Sequence, residues 1–474
     1  MLNMATTSEA RTGVSAIVDD TKIQKTLAAL SDCTASMIRE ILAKARELKG
    51  LEPDEVAALS QTTDAGLLSE MFDTARQVKE QIYGKRLVLF APLYISNLCS
   101  NECLYCAFRA SNHGVKRRAL GQWEIAAETK ALVDQGHKRI LLVAGERHPD
   151  EGLAYIRKAV ETVYRVKSGK GEIRRLNVNI APLTIDGFRE LKATQIGTYQ
   201  VFQETYHRPT YASVHVAGRK SDYDWRITAM DRAMQAGIDD VGIGVLFGLY
   251  DWHYEILALL QHIRHLETHF GVGPHTISVP RMEPAVGSII AAQPPHPVSD
   301  MDFRKIIAIL RMAVPYTGII MSTRETPKMR RETFALGVSQ ISAGSRTNPG
   351  GYREGKRQED GSQFQLGDHR PLDEVIRDVA QLGYIPSFCT ACYRLGRTGQ
   401  DFMDLAKPGE IKKHCDPNAI STFTEYLIDY SSEKTRQVGE ECIAGNLLHM
   451  PPPIRRISTS MRHRVLKGER DVFC

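Results

Sequence analysis

The chain has 474 residues, 42% hydrophobic and 25% charged, with 36 Gly and 21 Pro. This composition supports a large buried core and excludes collagen, coiled coils and disordered tail proteins. The 61 Lys and Arg against 56 Asp and Glu leave a net charge of +5, too small and too dispersed for a nucleic-acid footprint.

Residues 1–84 read as an N-terminal helical layer, with apolar positions at helical spacing in TASMIREILAKARELKG and AGLLSEMFDTARQVKEQIYG. The opening MLNMATTSEARTG lacks the charged and apolar regions of a signal peptide, and no apolar run reaches the length of a membrane span. A cytoplasmic location without a membrane partner is expected. From residue 85 short apolar strands alternate with amphipathic helices. Eight strands are predicted, at 86–96, 139–146, 175–181, 198–204, 240–248, 275–282, 317–323 and 339–345. Continuous apolar strands need a parallel sheet buried on both faces, and eight βα units predict an α/β fold closed into a (βα)8 TIM-type barrel over 85–350. An open, doubly wound sheet is the competing arrangement. The Gly-rich segment 347–369 reads as a linker or mobile loop. A C-terminal helical domain is expected over 351–474, ending in a basic tail, 448–474, that carries a Pro triplet and reads as a disordered or partner-docking segment.

The nine cysteines do not read as a disulfide framework, because six of them fall into two trios. Cys99, Cys103 and Cys106 occupy eight residues just after the first strand, at the barrel end where such folds keep their chemistry. Three thiolates around an iron–sulfur cubane leave one iron open to an exogenous ligand; a zinc site with a borrowed fourth ligand, or three buried free thiols, is the structural alternative. Cys389 and Cys392 form a CxxC, followed after 22 residues by Cys415. A second iron–sulfur cluster is favoured there, although His414 offers a Cys3His zinc set.

The CxxxCxxC spacing with Tyr105 before its last Cys resembles the radical S-adenosylmethionine superfamily. The later CxxC(22)C resembles its HydG-type maturases of [FeFe]-hydrogenase, which are tyrosine lyases related to the 2-iminoacetate synthase of thiamine biosynthesis. That likeness runs from VLFAPLYISNLCSNECLYCAF through GEIRRLNVNIAP, FQETYHRPTY, TAMDRAMQAGIDDVGIGVLFGLYD and FGVGPHTISVPR to AVPYTGIIMSTRE. It implies two [4Fe–4S] clusters, the C-terminal one with an additional iron, and S-adenosylmethionine as cofactor. It implies L-tyrosine as substrate, cleaved at Cα–Cβ to p-cresol and dehydroglycine, then CO and cyanide on iron for hydrogenase assembly. An electron donor and other hydrogenase maturation proteins would be its partners. Ala144-Gly145-Glu146 stands where the family binds the methionine amino group, one residue away from the usual Gly-Gly-Glu.

Other candidates come from position. Ser322, Thr323 and Arg324 end strand seven, and Arg324 suits a substrate carboxylate unless Glu325 or Glu283 already pairs with it. Gln203, Glu204 and Thr205 end strand four, while Tyr105, Arg109 and Asn112 flank the first trio; these are candidates for cofactor or substrate contacts. For the extra iron, His275 opens strand six and so lies at the barrel's bottom, facing a C-terminal domain that plugs it. His262, His265 and His269 on one helix read as a polar face. Sites at opposite ends require a channel through the interior, compatible with small residues at Ala144, Ala181, Gly242, Gly244, Ser278 and Ala343. A 2-iminoacetate synthase, without CO and cyanide chemistry, is the alternative function.

Overall fold

Strands built of Val, Ile and Leu offer no polar face to water, so they are stable only where both faces are covered. The computed structural model, which describes residues 17–29, 33–147, 151–353 and 361–474, meets that demand by closure. Eight parallel strands follow one another in sequence order: β1 (Arg86–Ser96), β2 (Arg139–Ala144), β3 (Arg175–Asn179), β4 (Tyr199–Gln200), β5 (Val241–Gly244), β6 (Thr276–Ser278), β7 (Gly318–Met321) and β8 (Val338–Ser342). β8 pairs back onto β1, with Val88 opposite Gln340 and Phe90 opposite Ser342. That last pairing makes a barrel and excludes the open sheet. β4 is shorter than its predicted span, although Val201 and Gln203 still donate to Gly242 and Gly244. The turn that follows places Glu204 at φ 73°, outside extended geometry.

A ninth parallel strand, β9 (Ile385–Ser387), pairs with the first residues of β1, Arg86 opposite Ile385 and Val88 opposite Ser387. β1 is 11 residues long, and its early half projects beneath β2, leaving an edge that β9 covers. The C-terminal domain is therefore continuous with the barrel sheet. Helix Lys412–Asp429 is held against it by Glu425, a fully buried carboxylate 3.0 Å from Arg174 and 3.4 Å from Lys138, at the bottoms of β3 and β2.

The N-terminal layer consists of helices Asp20–Ala28, Ala35–Ala45, Pro53–Gln61 and Ala65–Tyr83. Thr34 and Asp64 accept from Met37 N and Leu67 N at two of their starts, and Gly84 ends the last at φ 59°. The layer packs on barrel helices Asp300–Ala313 and Pro327–Leu336. Residues 1–16, including the leader expectation, lie outside the described residues.

Two expectations change. Within the supposed linker 347–369, of which 354–360 lie outside the described residues, the chain is pinned to the barrel. Gly367 and Asp368 donate their N–H groups to Thr323 O, and the Asp368 carboxylate meets Arg330 at 2.5 Å, both side chains fully buried. Polarity there marks buried pairing. The basic tail is likewise ordered as helix Pro452–Leu466, its Pro in the first turn where no N–H is needed, and Met461 and Val465 are buried. Among the described residues no helix is long and apolar enough to cross a membrane.

Candidate functional site

β1 ends at Ser96 and the chain turns at Asn97, whose side chain accepts from Arg118 N and donates to Lys116 O, 2.7 and 2.8 Å. Arg117 donates to Asn97 O and Phe108 O, tying both ends of the cysteine loop. Cys99, Cys103 and Cys106 line one cavity at the C-terminal end of the barrel. Glu102–Cys103 adds a short antiparallel ribbon with His215–Ala217, and Tyr105 bonds His215 at 2.8 Å. Burial pushes all three thiols up, Cys106 to about 11. Such thiols ionise on meeting a metal.

Gly145 lies against this loop so closely that a Cβ would fall 2.2 Å from Leu98 O, so only glycine fits. The adjacent Ala144 and Glu146 line the cavity. Glu146 accepts from Asn101 at 2.8 Å and Arg226 at 2.5 Å. Burial would raise its carboxyl, but Arg226 and then Lys220 outweigh that and hold it below the usual range. Glu204 accepts from Lys220 at 2.6 Å. Across the cavity, Ser322, Thr323 and Arg324 follow β7. Arg281 takes Glu325, which leaves Arg324 with no ion pair among the described residues; its guanidinium stacks 3.3 Å over Phe364. Glu283 also lines the wall, raised to about 7 by burial and then by Glu325, against the pull of Arg324.

A second cavity occupies the N-terminal end, lined by Cys389, Cys392, Cys415, His275, Arg86 and Arg139 among others. β9 delivers Cys389 beneath the barrel, where Arg139 donates to its carbonyl at 2.7 Å. Cys415 sits in the first turn of helix Lys412–Asp429. Cys392 and Cys415 face each other as free thiols, and their mutual interaction lowers Cys392 and raises Cys415. His275 Nε2 lies 3.1 Å from Tyr393 OH, and its Nδ1 is buried without a hydrogen-bond partner. Burial, opposed by Asp240, lowers His275, so the ring is neutral and able to ligate. His414 does not line this cavity.

Among the described residues, no three Cys, His, Asp or Glu side chains converge tightly enough for one metal ion. Each thiol trio instead surrounds a space, as ligands of a polynuclear cluster do. The donor sets therefore fit iron–sulfur groups. On β1, β2, β7 and β8, adjacent inward positions serve the two cavities: Phe90 and Val88, Leu141 and Arg139, Ile320 and Gly318, Ser342 and Gln340.

Residues 93–262 match the Radical SAM superfamily, and residues 278–385 match the Biotin and Thiamin Synthesis associated domain. The 2-iminoacetate synthase of Escherichia coli (strain K12) is 32% identical over 354 residues, 74% of this chain and 90% of that protein. A crystal structure of HydG, described as a maturase of the [FeFe]-hydrogenase, is 50% identical with a TM-score of 0.93, over 97% of this chain and 100% of that one. The chain belongs to the HydG family of radical SAM enzymes. A second HydG, from Carboxydothermus hydrogenoformans, is 38% identical with a TM-score of 0.84 and covers 97% of this chain and 100% of its own.

In this HydG-family chain some expected contacts lie elsewhere. Arg109 faces away from the cavity, paired with Glu102 at 2.9 Å and bonded to Gly287 O. Gln203 alternates outward between cavity-lining Phe202 and Glu204, and its Nε2 is buried without a partner. Asn112 donates to Ala107 O and Val286 O, and Thr205 bonds Glu255. The helix histidines form no common polar face: His262 is buried against Tyr206 OH, while His265 pairs with Asp231. Gly242 and Gly244 press on Gln200, Thr276 and Phe202; they ease packing. Asn101, Lys220 and Arg226 escaped the sequence reading. Asn101 stood inside the cysteine motif and could have been found; Lys220 and Arg226 carry no local signal.

Proposed function

We infer that this chain is a radical SAM lyase cleaving L-tyrosine at Cα–Cβ to p-cresol and dehydroglycine. It then converts dehydroglycine to CO and cyanide, delivered on iron for [FeFe]-hydrogenase assembly; its HydG relative is described as a maturase of that hydrogenase. The carrying observation is the pair of thiol-lined cavities at opposite barrel ends, served by adjacent inward positions.

Cys99, Cys103 and Cys106 would hold a [4Fe–4S] cluster, whose reduced form would supply the electron for reductive cleavage of S-adenosylmethionine. The protein's residues do the rest. The backbone of Ala144-Gly145-Glu146 faces the methionine amino group, and Asn101 and Arg226 keep Glu146 in place. Arg324, stacked on Phe364 and free of carboxylate partners among the described residues, binds the tyrosine carboxylate with Ser322 and Thr323 beside it. Tyr105 and Glu204 complete the wall, and Phe90, Phe108, Phe202 and Leu246 exclude water from the radical. Dehydroglycine, small and polar, passes along Ser342 and Gln340 toward the second cavity. There Cys389, Cys392 and Cys415 hold the second cluster, and His275 holds the additional iron.

The 2-iminoacetate synthase reading leaves the second trio without a task, and the match to the Biotin and Thiamin Synthesis associated domain ends at 385, short of Cys389. Anaerobic reconstitution with reductant, S-adenosylmethionine and tyrosine separates the readings. Formation of 5′-deoxyadenosine, p-cresol and CO supports the proposal. Dehydroglycine without CO favours the synthase, and absence of 5′-deoxyadenosine overturns both.

A further inference from the structure

Arg86 opens β1 and is 8% exposed. Its side chain lines the second cavity, its Nε is buried without a hydrogen-bond partner, and no ion pair to it exists among the described residues. Tyr83 lies beside it, ring to guanidinium 5.5 Å, which does not neutralise it. Arg139 on the neighbouring strand is 6% exposed and also unpaired: one nitrogen serves Cys389 O and its Nε has no partner. Burial acts against the Arg86 charge, and the groups that favour it are Cys415 and Cys389, then Asp416. Asp416 lines a separate outer groove with Lys412 and Lys413, and His275 answers to Asp240, which also faces Arg175 at 3.7 Å. Two guanidinium charges thus stand buried beside the thiol trio with no carboxylate paired to either among the described residues.

A buried guanidinium such as Arg311 can be satisfied by backbone carbonyls; one such as Arg86 that has neither carbonyl nor carboxylate is costly unless an anion is bound beside it. Three thiolates on a cluster supply that anion, and reduction adds one more negative charge. We propose that Arg86, supported by Arg139, is the counter-charge of the second cluster, acting as a positioning residue that eases its assembly and raises its reduction potential. This inference rests on the second-cluster reading above. Because a nearby positive charge favours the reduced, more negative state, losing it moves the potential in a known direction.

The test uses the full-length chain and its Arg86→Gln and Arg86→Lys variants, reconstituted anaerobically with iron and sulfide and titrated redox-wise by EPR, with S-adenosylmethionine added to mark the first cluster's signal. Arg86→Gln is expected to shift the second cluster to a more negative midpoint potential, or to lose that cluster. The first cluster stays in place as internal reference, and Arg86→Lys, which keeps the charge, stays near wild type. An unmoved second-cluster potential in fully loaded Arg86→Gln overturns the inference alone. So does an equal shift or an equal loss in both variants, which would mark a merely structural role. A single cluster in the wild-type chain overturns this inference together with the second-cluster reading.

Discussion

The two ends of the barrel hold the same three thiols in opposite electrostatic settings. At the C-terminal end each cation that faces the trio has its carboxylate: Lys220 holds Glu204 and Arg226 holds Glu146. Arg324 alone stays open among the described residues. At the N-terminal end Arg86 and Arg139 are buried with no ion pair among the described residues. A charge-balanced pocket suits a zwitterionic cofactor plus one substrate carboxylate; an unbalanced one suits a resident polyanion. The ends also differ in origin. Eight consecutive residues make the first trio, whereas the second needs β9 and helix Lys412–Asp429 docked by Glu425.

The comparison breaks most sharply on the cysteines. Cys99→Ala is expected to take 5′-deoxyadenosine and p-cresol to background. Cys389→Ala with Cys392→Ala leaves p-cresol and stops CO, read by chromatography and by CO capture on haem; CO at the normal rate from that double variant would erase the division of labour. Glu425→Ala leaves Lys138 buried without its carboxylate and Arg174 with Asp471 alone, a loss of about 3 kcal/mol. It shows as a lower Tm and as reduced iron at the second site, while the first cluster still loads; an unchanged Tm would mean that the docking lies elsewhere. Arg324→Gln removes a charged hydrogen-bonding partner worth about 1.5–3 kcal/mol, which raises KM for tyrosine about 10- to 100-fold with little change for S-adenosylmethionine.

The smallest effect is a pH dependence confined to the first cavity. Glu283, raised to about 7, is neutral below that pH and leaves Arg324 to the substrate. Above it the carboxylate ionises and competes. KM for tyrosine therefore climbs as pH passes 7, and Glu283→Gln flattens the climb. A climb that persists in Glu283→Gln assigns the titration to another group.

Much of this was legible in the chain. Apolar strands of period-free Val, Ile and Leu announced a covered parallel sheet, and each predicted strand has its counterpart, because burial on both faces leaves a pattern local in sequence. The first trio was legible for the same reason, being contiguous. The polar run 347–369 and the Pro-rich tail misled, since Asp368 satisfies Arg330 across 38 residues and Val465 is buried in a late helix, and no local pattern reports either. Arg86, Arg139 and Arg175 each stand first in their strand, a signal that was present and unused.

By itself the sequence determined the alternation that closes a barrel and the thiol spacings, since each depends on neighbours along the chain. Which cations are paired, which side of β4 faces the cavity, and that the chain's last hundred residues seal the barrel's floor were decided only in three dimensions. Charge balance and burial are sums over everything nearby in space, and strands far apart in the chain contribute most of it.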